Sequence, residues 1–349
     1  MKIYANETPI RTAKNFSINN VEVNIPKIQD KNVEFGNVNI DYKDSIIDSE
    51  VLNKDTVYGN GEYLESEIEK KSNSKIRINL AREVVKLDYN FDDNNTTLIN
   101  KLDIVAKYDS DIIIVYNSNT SKECYHNGII NIIAQDGANL NVILVNFLNE
   151  DSYNFDAIQT EIYDMASVNV SLIDLGAKYS IINYYSNCIS DMTQNNIKTI
   201  YIGRENQVKD MNYIVHMNGK KSKADIDVQG AISDNCKKSF KGTIDFKKGC
   251  KKACGRENEF CLLLSKNARS ISLPMLLATE EEVVGNHSSA SGKVDDEMLF
   301  YIMSRGFSYS DAIKLIVKAR FSTILENLND EKIIDEINQR IDRGLENGL

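Results

Sequence analysis

The sequence predicts a mainly β protein whose centre, about 85–292, is a parallel β-helix, with a mixed segment at 1–84 before it and a small α-helical domain at 293–349 after it. Three observations lead there. Apolar residues alternate with period two, as in Leu140, Val142, Leu144 and in Val168, Val170, Leu172, which is strand periodicity. The units recur, because Ser110, Ala138, Ala166 and Thr193 open similar segments at spacings of 28, 28 and 27 residues. No helical pattern lies between them, which excludes βαβ units, and a hairpin meander would show turn signals every 8 to 12 residues or so. Rungs stacked in parallel satisfy all three.

Within 1–84 the stretch VEVNIP reads as a strand, Asp41 to Asp55 as an acidic stretch and GEYLESEIEKK as a helix, and no activity is legible. The span 85–292 holds roughly seven or eight rungs, a stack on the order of 36 Å at about 4.8 Å per strand. In two consecutive units the alternation changes phase at the same place, to Val145 and Phe147 and to Ile173 and Leu175, and Ile200 and Ile202 continue it in the next. A repeated phase change predicts a bulge or corner in every rung. Asn141, Asn169 and Asn196 share one repeat position and predict a ladder of stacked amides. After residue 203 the repeat fades, although Gly230 and Gly242 still sit at strand-like junctions.

The tail turns helical. Asp295 caps a segment bearing Met298, Leu299 and Ile302, which Gly306 stops. Ser308 to Asp311 caps a second helix carrying Ala312, Ile313, Ile316, Val317 and Ile324, and Asn329 or Asp330 opens a third with Ile333, Ile334, Ile337 and Ile341. Short helices after a solenoid are expected to cap its hydrophobic end.

Composition narrows function. With 41 basic and 51 acidic residues the net charge is −10, which repels a phosphate backbone, so nucleic acid is not an expected partner. The longest apolar runs, such as Ile112 to Tyr116, fall far short of the roughly 20 residues of a membrane span, and no membrane association is expected. The first residues lack an apolar signal region, which predicts a cytoplasmic protein with its 6 cysteines as thiols.

No P-loop, dinucleotide fingerprint, zinc-protease motif or nucleophile elbow is present, so the chain does not read as an enzyme. Cys250, Cys254 and Cys261 could be drawn as three thiolate ligands, but their spacing matches neither zinc knuckles nor ferredoxin runs, and core thiols are the plainer reading. His126 and His216 read as hydrogen-bonding residues at strand ends. His287 stands apart, at the junction of the last strand and the tail, among Gly285, Ser288, Ser289 and Ala290, which leave room for another backbone or a cluster.

From about 213 to 327 the sequence resembles the SufB/SufD family of iron-sulfur cluster assembly proteins. The resemblance is carried by Phe240-Lys-Gly242, Leu263-Leu-Ser265, Asn267-Ala268, Gly285-x-His287, Gly292-Lys-Val-Asp295, Leu299-Phe-Tyr301 and Ser304-Arg-Gly306. It implies a right-handed parallel β-helix and a non-enzymatic scaffold subunit whose C-terminal helices dock on a SufC-type ABC ATPase. It also implies pairing, through the C-terminal strands, with a SufB-like paralogue or a second copy. His287 matches the family histidine near that interface and is the expected cluster-assembly and metal-binding residue. Ile313, Ile316 and Val317 are the expected ATPase-docking positions. No cofactor is expected on the chain alone, only a transient iron-sulfur cluster in the complex. Ser288 follows His287 where SufB-type chains have glutamate, Pro274 stands at the approximate position of their cysteine, and no cysteine follows Cys261. These departures favour SufD. A short SufB-like homodimeric scaffold and a structural adaptor that never contacts iron are the alternatives.

Overall fold

The computed structural model describes residues 1–11, 18–28, 33–52, 54–326, 328 and 330–346. The N-terminal segment supplies a two-stranded antiparallel pair, β1 (Lys2–Ala5) with β2 (Val21–Asn24), then β3 (Val38–Asp41), β4 (Ile46–Asp48) and α1 (Glu62–Lys71). The solenoid strands follow: β5 (Ser74–Leu80), β6 (Val84–Phe91), β7 (Thr97–Ala106), β8 (Ser110–Ser118), β9 (Tyr125–Ala134), β10 (Asn139–Phe147), β11 (Tyr153–Ile162) and β12 (Ser167–Asp174). They continue as β13 (Tyr179–Cys188), β14 (Gln194–Gly203), β15 (Val208–Met217), β16 (Lys223–Ile232), β17 (Lys237–Phe246), β18 (Cys254–Leu263), β19 (Arg269–Ala278) and β20 (Val284–Gly292). The tail is α2 (Asp296–Ser304), α3 (Tyr309–Leu325) and α4 (Glu331–Glu346).

Strands alternate between two 9-stranded sheets, the even strands β6 to β20 in one and the odd strands β5 to β19 in the other. Each pairs in parallel with the strand two positions away, giving a parallel β-solenoid of about 8 turns. The stack therefore begins at β5, ahead of residue 85, because Ser74 to Leu80 pair with Asn100 to Ala106. Its N-terminal end is closed by β3 and β4, which pair antiparallel to β6 and β5. Phe35 tucks beneath them against Tyr89 and Phe91.

The amide ladder forms as the repeat predicts. Asn141, Asn169 and Asn196 are in register, with Asn169 Nδ2 donating to Asn141 Oδ1 at 2.9 Å and Asn196 Nδ2 to Asn169 Oδ1 at 2.7 Å. The repeated phase change is not a bulge, since pairing runs unbroken from Asn139↔Ser167 to Asn146↔Asp174. Both faces of these strand ends are buried instead. Leu140, Val142 and Leu144 line the solenoid interior, while Ile143, Val145 and Phe147 lie under the tail on the outer face.

Turn corners repeat too. Gly137, Met165, Met192, Lys221 and Lys252 all take positive φ at the corner that leads into the even strands, followed in each case by a small buried residue.

The tail folds from local capping and one shared core. Asp295 accepts from Met298 N at 2.8 Å, Ser308 from Asp311 N at 3.1 Å and Asp330 from Ile333 N at 3.0 Å, while Asn329 lies outside the described residues. Helices α3 and α4 do not cap the end of the solenoid. They lie along its flank, where Ile313, Val317, Phe321, Ile337 and Ile341 pack on Val145, Phe147, Ile173, Ile200 and Leu262.

Candidate functional site

The solenoid's C-terminal end is where its architecture is unfinished. Strands β19 and β20 are the outermost members of their sheets, so each leaves one edge unpaired among the described residues. An unpaired, regular edge is a template for another strand. Residues 284–291 of β20 are all exposed.

His287 lies mid-way along β20, in register with Glu257 of β18, and Ser289 is in register with Glu259. In-register residues of parallel strands share a face, and Glu257 faces inward. A Cβ built on Gly242, in the opposite sheet, would sit 2.3 Å from Glu257 Oε1, so the glycine of the Phe240-Lys-Gly242 motif makes room for that carboxylate. His287 therefore stands at the mouth of the interior, with Glu257 one rung inside.

The chamber behind it carries charge where an apolar core would be expected. Lys238 of β17 and Glu259 of β18 form a fully buried ion pair with Nζ 2.5 Å from Oε1. Ser272 and Ser289 donate to Glu259 Oε2 at 2.8 and 2.7 Å, and Lys238 Nζ also donates to Ser272 Oγ at 3.0 Å. Both oxygens of Glu259 are thus satisfied. Those of Glu257 are not: its carboxylate is buried with neither oxygen hydrogen-bonded, and burial, reinforced by Glu259, pushes its pKa up to about 8.

Chemically, the end offers an imidazole and a carboxylate on one face of an open edge. Nitrogen and oxygen donors are of the type a borderline metal takes, but two groups do not complete a site, and among the described residues no cluster of three or more such side chains forms. The three cysteines weighed as ligands do not converge. Cys254 and Cys261 lie seven residues apart on β18 and so point to opposite faces, Cys254 exposed and Cys261 in the core. Pro274 lies within β19, opposite Gly242.

The other two histidines are structural. His126 is buried in the interior between Asn154 Oδ1 at 2.7 Å and Asn100 Oδ1 at 2.9 Å, and burial lowers its pKa. His216 contacts Tyr185 Oη at 3.2 Å, and its pKa is likewise lowered by burial.

The expected docking residues need correcting. Ile313, Ile316 and Val317 are 0, 8 and 1 % exposed, because they form the seam between α3 and the even-numbered sheet. They cannot present a surface while the tail stays folded on the solenoid. Among the described residues, the large exposed apolar side chains of the tail are Met298, Phe300, Tyr301 and Met303 of α2, with Phe307, Tyr309 and Leu315 beyond it; Phe300 is 75 % exposed. Helix α2 buries none of its residues.

Sequence reasoning missed Lys238, Glu257 and Glu259. The signal was present in CGRENEFCL, where continuing the period-two alternation into β18 puts both glutamates on the inward phase.

Comparison with known proteins agrees with this architecture. Residues 89–320 match the family described as SUF system FeS cluster assembly, SufBD core domain. The chain is 26% identical over 264 residues to the iron-sulfur cluster assembly protein SufD of Bacillus subtilis, a match covering 74% of this chain and 60% of that protein. It is 31% identical over 117 residues to SufD of Escherichia coli, covering 34% of this chain and 28% of the relative. A SufBD family iron-sulfur cluster assembly protein of Pyrococcus horikoshii is 29% identical over 150 residues, 43% of this chain and 33% of that one. The matched region thus spans less than two thirds of these relatives. Among the described residues, no helix is long and apolar enough to cross a membrane. A core-domain match over most of the solenoid, together with relatives named SufD, places the chain in the SufB/SufD family of iron-sulfur cluster assembly proteins, closer to SufD.

Proposed function

We propose that this chain is a non-enzymatic scaffold subunit of the Suf complex, which pairs with a second β-helix subunit at its open end and couples a SufC-type ABC ATPase to cluster formation there. The observation that carries this reading is His287 on an edge strand whose residues 284–291 are exposed, in register with an unpartnered inward carboxylate. Such an edge gives a partner strand its hydrogen bonds, and the imidazole stands where two subunits would meet. The nascent cluster is cargo at this junction, and further ligands come from the partner. The second subunit is a SufB-like paralogue or another copy of this chain, and sedimentation of the chain with and without the paralogue separates the two.

The ATPase dock is assigned to the apolar face of α2 rather than to Ile313, Ile316 and Val317. Exposed Phe300, Tyr301 and Met303 form a patch of the kind that marks a protein interface.

Two variants test the reading. His287→Ala should melt as the parent does, since His287 has no hydrogen bond among the described residues to lose, yet fail to support cluster formation in cells lacking the native protein. Full complementation by a stable variant refutes the assignment. Phe300→Asp should leave the circular dichroism unchanged and abolish co-purification of the ATPase; retained binding puts the dock elsewhere. Anaerobic iron and sulfide analysis of the complex distinguishes a cluster scaffold from an adaptor that never touches iron.

A further inference from the structure

A separate cavity of about 360 Å³ lies at the seam between α4 and the loops that follow β10 and β14, on the flank rather than at the open end. Its size falls at the lower end of small-molecule sites, roughly 300 to 1,000 Å³. Leu148, Leu175 and Ile202 give it an apolar floor, and three guanidinium groups, Arg204, Arg340 and Arg343, stand round it.

The three arginines are in different states. Arg340 is fixed: it lies 4.0 Å from the Phe147 ring centroid and donates to Phe147 O at 3.2 Å, Asn117 Oδ1 at 3.1 Å and Glu336 Oε1 at 3.0 Å. Arg204 uses Nη2 to pair with Glu150, while its Nη1 is buried with no acceptor. Arg343, one turn along α4 from Arg340, is exposed and makes no ion pair among the described residues. Its charge adds to Arg340's difficulty, since burial first and Arg343 after it lower the Arg340 pKa, against the support of Glu336. The lining carries three positive groups against Glu150 and Asp151.

A buried N–H without an acceptor is costly and uncommon, and an absent ion is one of its standard explanations. Guanidinium forks match the oxygens of a phosphate group better than any other side chain does. We propose that this cavity binds a small organic phosphate, with Arg343 holding the phosphate, the Arg204 side chain turning to bring its unpartnered Nη1 out to it, and the Leu148, Leu175 and Ile202 floor receiving the organic part. Such a ligand joins α4 to the loop after β14, so it fastens the tail to the solenoid and raises the stability of the whole chain.

The test uses the full chain, titrated calorimetrically and melted with AMP, inorganic phosphate and adenosine as probes. AMP should bind with a dissociation constant below about 1 mM and raise the melting temperature, inorganic phosphate should bind at least about tenfold more weakly, and adenosine should not bind. Arg343→Gln should melt as the parent does without ligand and weaken AMP binding by about tenfold or more. Absence of AMP binding up to about 10 mM, or unchanged AMP affinity in Arg343→Gln, overturns the site. Equal affinity for AMP and adenosine overturns the role of the arginines, and equal affinity for AMP and inorganic phosphate overturns that of the floor.

Discussion

Replacing Glu257 by glutamine should change how stability depends on pH more than it changes stability itself. The carboxyl is raised from an ordinary 4.5 to about 8, first by burial and then by Glu259 on the same strand. Lys238 across the interior is engaged by Glu259, and His287 stands on the neighbouring strand. Below about pH 4.5 both folded and unfolded chains hold the proton, and the group contributes no slope. Between 4.5 and about 8 the unfolded chain gives it up while the folded chain keeps it, so stability falls as pH rises. Above that both are ionised and the effect levels off. A window of about 3.5 pH units at about 1.4 kcal/mol per unit caps the loss at ~5 kcal/mol. Glutamine keeps the shape of the neutral acid and cannot ionise. Urea denaturation of the parent and Glu257→Gln between pH 5 and about 8.5 should therefore show the parent losing stability relative to the variant steadily as pH rises. An unpaired amide shifts the variant by a constant amount, so the decisive quantity is the difference in slope. Parallel profiles would show that Glu257 is solvated or paired in solution, and the argument would fall.

Two further expectations concern the fold. Ile313→Ala removes a fully buried side chain from the seam between α3 and the solenoid and should cost about 2 to 4 kcal/mol in chemical denaturation, where a surface docking residue would cost almost nothing. At the repeated corners, Met192 holds φ at 55° with its side chain 42% exposed, so Met192→Gly should stabilise by ~0.5 kcal/mol or more, while Gly137→Ala, at φ 71°, should destabilise by about 1 kcal/mol. The same sign for both would refute the left-handed corner as the cause.

Much of the stack is legible in the sequence because parallel rungs repeat their side-chain chemistry. Asn141, Asn169 and Asn196 declared their register through identity alone, and Asp295 and Ser308 announced helices that their oxygens cap. The repeat faded where corners changed length, not where strands ended: Asn196 pairs with Asp225 and Asp225 with Arg256, wider intervals than those before them, yet the strands stay ten residues long. The phase change in β10 and β12 was visible but carried two meanings. Only tertiary packing shows that Val145 and Ile173 face a helix rather than a bulge. For the same reason Ile313 could be recognised as apolar but not as inward-facing. Of the site, His287 was legible from its small neighbours, whereas Lys238, Glu257 and Glu259 became a chamber only when two sheets were brought face to face.

The two ends of the solenoid differ in a way that bears on how far assembly can proceed. Strands β3 and β4, four and three residues long, run antiparallel to the stack and blunt its first rung. The last rung ends in strands of ten and nine residues with no further strand paired to them among the described residues. Stringing solenoids head to tail into a fibre requires a parallel edge at both ends, because each copy must accept at one end what it offers at the other. Among the described residues only one such end exists. If two open ends join as proposed above, the joint consumes both, so growth would stop at a pair with approximate two-fold symmetry, and a long regular edge that would otherwise invite aggregation would become a device that counts to two.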